Sequence, residues 1–392
     1  MGTEAEAASL SRGPRTYLWW VLSRLAMLVL LGLNTGVETD VNYYRLSLGS
    51  GHGMAHTLVE YPVAAYGLID AVWSWLPSTN AFLLGWLVLM LVIDLAFFVL
   101  LARSPGHPRA VRFWILAGPA LGPIIYFRFD LVPAVLVGLA CLYAARRPQV
   151  AGAAVAIAAL IKYWPAVVVP GLVRQARERS RLLIAAVGTA VVGALCALAV
   201  AGWHRQFTPL IWQKQRGLEY EAVWATPAMI LRWFRPHDYT IGLSAYESVD
   251  VTGPGVSTLI TLTTVTEIVV AVLIGYAWWR RRRDATPANG MWLVLATTSG
   301  FIISDKVFST QYLLWLLPVA AVALLFDTSR TFRRWAALLL ATSVLTQLRY
   351  PFLQEASAGM VLPTVVVTVR NGLMIGLFAL ALREALRTPV GD

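Results

Sequence analysis

Long apolar runs separated by short polar segments dominate this chain. A membrane-spanning α-helix needs about 20 predominantly apolar residues. Twelve runs indicate spans, at 17–37, 81–101, 113–127, 131–145, 150–161, 163–173, 182–202, 257–279, 290–304, 312–326, 335–350 and 363–382. Because several of these runs are short, we expect some of the helices to kink or to end inside the membrane. The pattern predicts an all-α polytopic membrane protein, a bundle of about 12 transmembrane helices.

Composition supports the same class of protein. Hydrophobic residues make up 58% of the 392 residues, charged residues only 14%, and the mean hydropathy is +0.65. Soluble domains carry about 25% charged residues. These values exclude a soluble enzyme, a disordered scaffold and a single-pass receptor. The two cysteines, Cys141 and Cys196, lie inside apolar runs and indicate no disulfide framework.

The distribution of positive charge predicts the orientation in the membrane. Lys and Arg outnumber Asp and Glu by 32 to 21, and most of the cations form short clusters between apolar runs. Cytoplasmic loops collect such cations, whereas a nucleic-acid-binding protein would concentrate them on one surface. We therefore expect cytoplasmic tails at 1–16 and 383–392, a single transmembrane domain at 17–382, and larger extracytoplasmic loops at 38–80 and 203–255. Aromatic-rich stretches at 61–76 and 209–234 favour interfacial helices within those loops.

One apolar stretch has basic residues on both sides although its length suits a single helix. It covers residues 150–173, and it contains Lys162-Tyr163-Trp164-Pro165. Proline disfavours helical backbone at the residue before it, so we predict two half-length helices that meet near Lys162. Irregular backbone at membrane depth requires surrounding protein or a water-filled cavity. The break therefore predicts a cavity that opens to the outer side.

Six cations lie inside spans or at their outer edges, where a charge is costly and is usually paired or functional. For Arg24 and Arg370 we expect ion pairs with the intramembrane carboxylates Asp94 or Glu267. The other four map to the outer ends of spans. Their convergence at one depth favours an anionic ligand, and a lipid phosphate is the natural candidate over simple snorkelling. These predicted phosphate ligands are Arg128, Lys162, Lys306 and Arg349.

The first outer loop begins with an acidic pair, Glu38 and Asp40. If a sugar is displaced from a phosphate, the leaving group is already a weak base, so a single carboxylate suffices to take the proton of an acceptor hydroxyl. Nearby Arg and Lys side chains would stabilise the departing phosphate. The alternative interpretation is a solvated loop start or a helix cap. A divalent metal ion at Glu38 and Asp40 is a weaker alternative, and we expect no metal and no cofactor.

No sequence motif indicates another class of enzyme chemistry. The chain contains no Gly-x-Ser-x-Gly, no P-loop and no His-Glu-x-x-His motif. Of the five histidines, only His52 and His56 have a spacing that suits a metal. This pair lies in a glycine-rich loop, where we expect it at the surface rather than at a metal ion.

Several short motifs, in this order, resemble glycosyltransferase family 87 of the GT-C superfamily. They follow an early aspartate behind the first span, and together they cover about residues 17–350. The motifs are Glu60-Tyr61-Pro62, Arg128-Phe129-Asp130, Ala151-Gly152 with Lys162-Tyr163-Trp164-Pro165, Arg216-Gly217-Leu218-Glu219, and Ser309-Thr310-Gln311-Tyr312-Leu313-Leu314-Trp315. The family includes the polyprenyl-phosphomannose-dependent mannosyltransferases of phosphatidylinositol mannoside assembly.

The resemblance implies a GT-C-like fold and an inverting transfer of a hexose, usually mannose. The donor would be a polyprenyl-phosphate sugar, and the acceptor a glycolipid or a cell-envelope glycan at the outer face of a bacterial plasma membrane. It implies that Asp40 is the catalytic base. Substrate-binding residues implied by the same motifs are Glu60, Tyr61, Asp130, Arg216, Glu219, Gln311 and Tyr312. The chain departs from the family at Val63 and Thr310, where proline is common, which leaves the acceptor undetermined.

Two other classes of protein are compatible with the cationic cavity. A transporter or flippase of an anionic or sugar-linked lipid would carry broken helices at matching positions of two halves, and the sequence has no such repeat. An enzyme-like partner protein without activity is the third possibility. In each case membrane lipids are partners, and nucleic acid is not.

Overall fold

The computed structural model describes residues 13–33, 35–280, 286–353 and 361–387, and these are mainly helical. In the first half the helices are α1 (Pro14–Leu33), α2 (Thr39–Gly49), α3 (Val63–Trp75), α4 (Thr79–Arg103), α5 (Pro108–Leu121), α6 (Leu131–Tyr143), α7 (Pro148–Ile161), α8 (Val169–Gln175) and α9 (Arg179–Gln215). In the second half they are α10 (Thr226–Phe234), α11 (Val256–Arg280), α12 (Pro287–Ser304), α13 (Leu317–Ala323), α14 (Arg330–Gln347) and α15 (Val361–Leu386). The predicted all-α class is confirmed.

Within these described ranges, five helices are long and apolar enough to cross a membrane: α1, α4, α9, α11 and α15. Their ends lie within a few residues of the predicted spans, except in α9, which continues past Gly202 to Gln215. Gly202 has φ +73° inside α9, a left-handed conformation that glycine adopts without a Cβ penalty. The kink falls where the predicted span ends. The total of about 12 spans stays a prediction.

Three interruptions of helical backbone meet at one end of the bundle, at 122–130, 162–168 and 305–316. The break near Lys162 was predicted and is confirmed. In the predicted span at 113–127, α5 ends early, at Leu121, where Gly122 has φ +81° and Pro123 follows. The predicted span at 312–326 likewise begins as a 3₁₀ turn, Thr310–Trp315, before α13. Residues 121–131 are all buried, as irregular backbone at membrane depth requires.

An ion pair inside the bundle holds the first of these interruptions. Arg24 of α1 donates two hydrogen bonds of 2.8 Å to Asp94 of α4, which confirms the predicted Arg24–Asp94 pair. Asp94 also accepts from Trp114 at 2.7 Å and from the Tyr126 hydroxyl at 2.5 Å. Trp86 donates to the Tyr126 carbonyl oxygen. The pair thus links α1, α4 and α5 to the segment that precedes Arg128.

The two long intervals between spans, residues 38–80 and 203–255, contain helices and one hairpin. Helix α3 occupies the predicted stretch 61–76, and α10 lies within 209–234. Strands β1 (Thr240–Leu243) and β2 (Val249–Thr252) pair antiparallel and were not predicted. Both strands are rich in β-branched residues, which favour a pleated strand. Arg205 of α9 links the second of these intervals to the first, because it donates hydrogen bonds to the carbonyl oxygens of Met54 and Leu58.

Candidate active site

Asp40 lies in the first turn of α2, next to the interruption at 122–130. The prediction that it stands in a loop is therefore wrong, since the chain turns from a 3₁₀ turn at Thr35–Glu38 directly into α2. Its carboxylate is 2.9 Å from Nε of Arg128, and its side chain keeps 30% of its surface exposed. Arg128 is buried and also donates to the carbonyl oxygens of Val37 and Phe127, at 3.3 and 3.0 Å. The guanidinium anchored in this way forms an ion pair with the Asp40 carboxylate.

The surroundings of Asp40 make its carboxylate a stronger base than one in water. Loss of hydration raises the pKa of Asp40, and the charge of Asp130 raises it further. The cations Arg128, Lys162 and Arg216 act in the opposite direction, but the net pKa shift is upward. The Asp40 carboxylate is therefore partly exposed and partly desolvated.

Asp130 and Lys162 form a second ion pair, 2.7 Å apart, between the first two interruptions. The same Asp130 oxygen accepts a hydrogen bond of 2.6 Å from the Trp315 indole. The Lys162 ammonium lies 5.1 to 5.4 Å from the ring centroids of Phe129, Tyr312 and Trp315. This arrangement is typical of cation–π contacts, and the three rings shield the pair on several sides. Lys162 still has 22% of its side-chain surface exposed.

The rings of Phe129, Tyr312 and Trp315 form a cage around Lys162, and an aromatic cluster continues from this cage to the interval at 38–80. Tyr61 packs edge-on against Phe129 and Tyr44, with centroid separations of 5.1 and 5.7 Å. The neighbouring Glu60 is half-buried, and loss of hydration raises its pKa. The structure therefore brings Tyr61 to the Lys162 cage and places Glu60 beside α2.

The loop after α9 brings Arg216, Glu219 and Lys306 together. Lys306 Nζ donates to the carbonyl oxygens of Lys214 and Arg216, at 2.9 and 2.6 Å. Glu219 accepts from the Phe308 backbone N–H at 2.6 Å, and its own N–H donates to the Lys306 carbonyl oxygen. Loss of hydration raises the pKa of Glu219 to about 7, against the opposing charge of Arg216.

Arg216 and Lys306 differ from the other site cations in their partners. Among the described residues, neither has a carboxylate within ion-pair distance, whereas Arg128 and Lys162 each have one. Two of the three ammonium hydrogens of Lys306 are engaged, and the Nε of Arg216 makes no hydrogen bond to the described residues. These two groups retain capacity for an anionic ligand.

Behind this loop, Glu221 is held by two arginines. Arg370 donates to the Glu221 side chain at 2.9 Å and to its carbonyl oxygen at 2.5 Å. The predicted pairing of Arg370 with Asp94 or Glu267 is therefore wrong, because the loop folds back onto α15. Arg349 lies 3.4 Å from the same carboxylate and also hydrogen-bonds to the Tyr220 hydroxyl.

The remaining predicted residues occupy less central positions. Gln311 is half-buried and accepts a 3.5 Å hydrogen bond from the neighbouring Thr310. Tyr312 stacks on Trp315 at 4.0 Å and so belongs to the cage. Within the parts of the chain that the structure describes, no group of three or more His, Cys, Asp or Glu side chains is arranged to hold a metal ion. The His52 ring hydrogen-bonds to Ser50 on an exposed loop.

Sequence reasoning missed several residues that complete the site. Trp315 holds Asp130, Phe308 positions Glu219 through its backbone, and Glu221 anchors the loop between them. Tyr350 bridges Gly36 and Arg128, at 2.8 and 3.5 Å. No local sequence pattern predicts these roles, although Trp315 is the last residue of the motif at 309–315.

Residues 60–304 match the family model of glycosyltransferase family 87, and the matched segment covers more than half of the chain. Arg128, Lys162 and Arg216 lie inside it, whereas Asp40 and Lys306 lie outside. Comparison with curated proteins and with solved structures gives no match.

Proposed function

This chain belongs to glycosyltransferase family 87, and from that premise we propose that it is an inverting transferase of a hexose, most simply mannose. The proposed donor is a polyprenyl-phosphate sugar. The proposed acceptor is a hydroxyl of a glycolipid or a cell-envelope glycan, and the reaction takes place at the extracytoplasmic face of a bacterial plasma membrane, with both termini in the cytoplasm. The single observation that carries the proposal is the Asp40 carboxylate, which is partly exposed, paired with Arg128 and close to further cations.

In the proposed reaction, an acceptor hydroxyl oxygen attacks the anomeric carbon as the bond from that carbon to the phosphate oxygen breaks. Asp40 takes the hydroxyl proton, which its raised pKa favours. The electron pair of the broken bond leaves on the polyprenyl phosphate. That leaving group is a weak base, so the step needs no general acid.

Arg216 and Lys306 are the proposed direct ligands of the donor phosphate, because they have capacity that the protein does not use. Arg128, Lys162 and Arg349 remain predicted phosphate ligands, and each would have to share or exchange a carboxylate partner. Glu60, Tyr61, Glu219 and Tyr312 are proposed to line the sugar and acceptor sites, because carboxylates and aromatic rings bind sugar hydroxyls and sugar faces.

The test is transfer by the purified protein in nanodiscs. Radiolabelled polyprenyl-phosphate mannose would be supplied with a membrane-lipid extract, and labelled nucleotide-activated mannose in a parallel reaction. Asp40→Asn should lower the turnover rate 10²- to 10⁴-fold, the usual contribution of a general base. Asp70→Asn, a partly buried carboxylate of α3 outside the site, is the matched control and should keep the wild-type rate.

Retained turnover in Asp40→Asn would refute the assignment of the base. Transfer from the nucleotide sugar alone would refute the donor class. Arg216→Gln and Lys306→Gln should mainly raise the KM for the donor. No observation on the described residues favours the transporter alternative, which predicts that Asp40→Asn leaves function unchanged.

A further inference from the structure

A groove of about 650 Å³ lies at the opposite ends of the helices from the site, where α11 and α15 end. Its walls combine two kinds of side chain. Arg280, Arg383 and Arg387 supply guanidinium groups, and Phe378 and Leu382 supply apolar surface. The groove uses none of the residues assigned to the proposed transfer reaction.

The cations of the groove are unequally paired. Arg387 is 3.0 Å from Glu384, one turn away on α15. In the described parts of the chain, neither Arg280 nor Arg383 has a carboxylate within ion-pair distance. Arg280 donates a 3.4 Å hydrogen bond to the Tyr276 hydroxyl. Two exposed guanidinium groups facing one groove form a site for an anion, and guanidinium matches phosphate geometry closely.

The two kinds of side chain lie at different depths along the helices. Arg280 is the last residue of α11 and Arg383 lies in the last turn of α15, and both helices are candidate spans. Phe378 lies five residues before Arg383, about 7.5 Å deeper at the rise of an α-helix. Phe378 and Leu382 are four residues apart and share one helix face. The guanidinium groups therefore lie at headgroup level, and the apolar surface lies at the level of the first acyl methylenes.

We propose that this groove binds a phospholipid with an anionic headgroup, whose phosphate lies between Arg280 and Arg383 and whose acyl chain covers Phe378 and Leu382. Charge complementarity and the order of depth support this occupant, because basic pockets between transmembrane helices bind anionic lipid headgroups. A soluble anion would gain nothing from the apolar wall. The proposal is independent of the transferase reaction.

The test measures lipid binding and needs no activity. Purified protein in detergent is mixed with phosphatidylglycerol or phosphatidylcholine of the same acyl composition, and the bound lipid is counted by native mass spectrometry. Wild-type protein should bind phosphatidylglycerol roughly ten- to thirtyfold more tightly, as two cations near a membrane surface provide. The double variant Arg280→Gln, Arg383→Gln should lose most of that preference. Both side chains are exposed, so the variant should fold.

The matched control is Arg109→Gln, Arg112→Gln, which removes the same charge from two exposed arginines outside the groove. It should keep the preference. Equal losses in both double variants, or none in either, would overturn the proposal, since binding would then follow total charge or other residues. Inorganic phosphate at millimolar concentration is the third arm. If it displaces phosphatidylglycerol completely, the site binds a simple anion, and the lipid assignment is wrong.

Discussion

The ion cluster behind the loop at 216–221 has unequal charges, and this inequality predicts how it responds to mutation. Glu221 supplies the carboxylate, and Arg349 and Arg370 supply two guanidinium groups, 3.4 and 2.9 Å away. The side chains are at most 6% exposed. The three residues thus hold a net charge of +1 away from water.

Glu221→Gln should be the most damaging single change, because it leaves two buried guanidinium groups without their anion. Breaking a buried pair by removing one partner costs about 3–5 kcal/mol, and here both arginines lose their partner at once. We therefore expect a loss in the free energy of unfolding at the upper end of that range.

Arg349→Met should be milder, because it leaves no charge of the cluster without a partner. Glu221 keeps Arg370 as its partner, and the net charge of the cluster falls to zero. The cost is then limited to the lost hydrogen bonds of Arg349 to the Tyr220 hydroxyl and the Leu353 carbonyl oxygen. Arg370→Met should lie between the two, since Arg370 also holds the Glu221 carbonyl oxygen and Asn371.

The assay is thermal unfolding in detergent, followed by tryptophan fluorescence. Arg334→Met, an exposed arginine of α14, is the control and should melt with the wild type. The reasoning fails if Glu221→Gln melts at the wild-type temperature, or if Arg349→Met is the less stable of the two. Because Arg349→Met should retain its fold, the same protein also tests the predicted role of Arg349 through its donor affinity.

Three further changes test other parts of the structure. Asp94→Asn should lower the free energy of unfolding by about 3–5 kcal/mol. Adding Arg24→Met should restore part of this stability in the same melting assay, because the unpaired guanidinium is then gone, while the amide introduced at position 94 still accepts hydrogen bonds. Burial raises the pKa of Glu219 above its unfolded value, so its ionisation opposes folding, and the free energy of unfolding should fall as pH rises from about 4.5 to 7. Glu219→Gln should flatten this dependence of stability on pH. An equal pH dependence in the variant and the wild type would contradict the burial of this carboxyl. A Cβ on Gly152 would collide with the Leu182 carbonyl oxygen, so Gly152→Ala should force α7 and α9 apart and lower the melting temperature, whereas Gly188→Ala, with open space around it, should not.

The sequence alone was sufficient for the class of the fold and for identifying the charged residues that lie within apolar segments. The need for about 20 apolar residues per crossing shows in the primary pattern, and it located α4, α11 and α15 within a few residues. A charge in an apolar run is similarly visible, because burying it is costly. The break at Lys162 followed from a local rule, the effect of Pro165 on the residue before it.

The tertiary structure decides which charged side chains form ion pairs with each other. Arg370 belongs to Glu221, which lies 149 positions away in the chain, and no local rule connects them. The interruptions at 122–130 and 305–316 bring Asp130 and Trp315 together across 185 positions. Such pairings depend on how helices pack, since an ion pair or an indole hydrogen bond acts only over a few ångströms. The sequence therefore determined which side chains had to find partners, and the packing of the helices determined the partners.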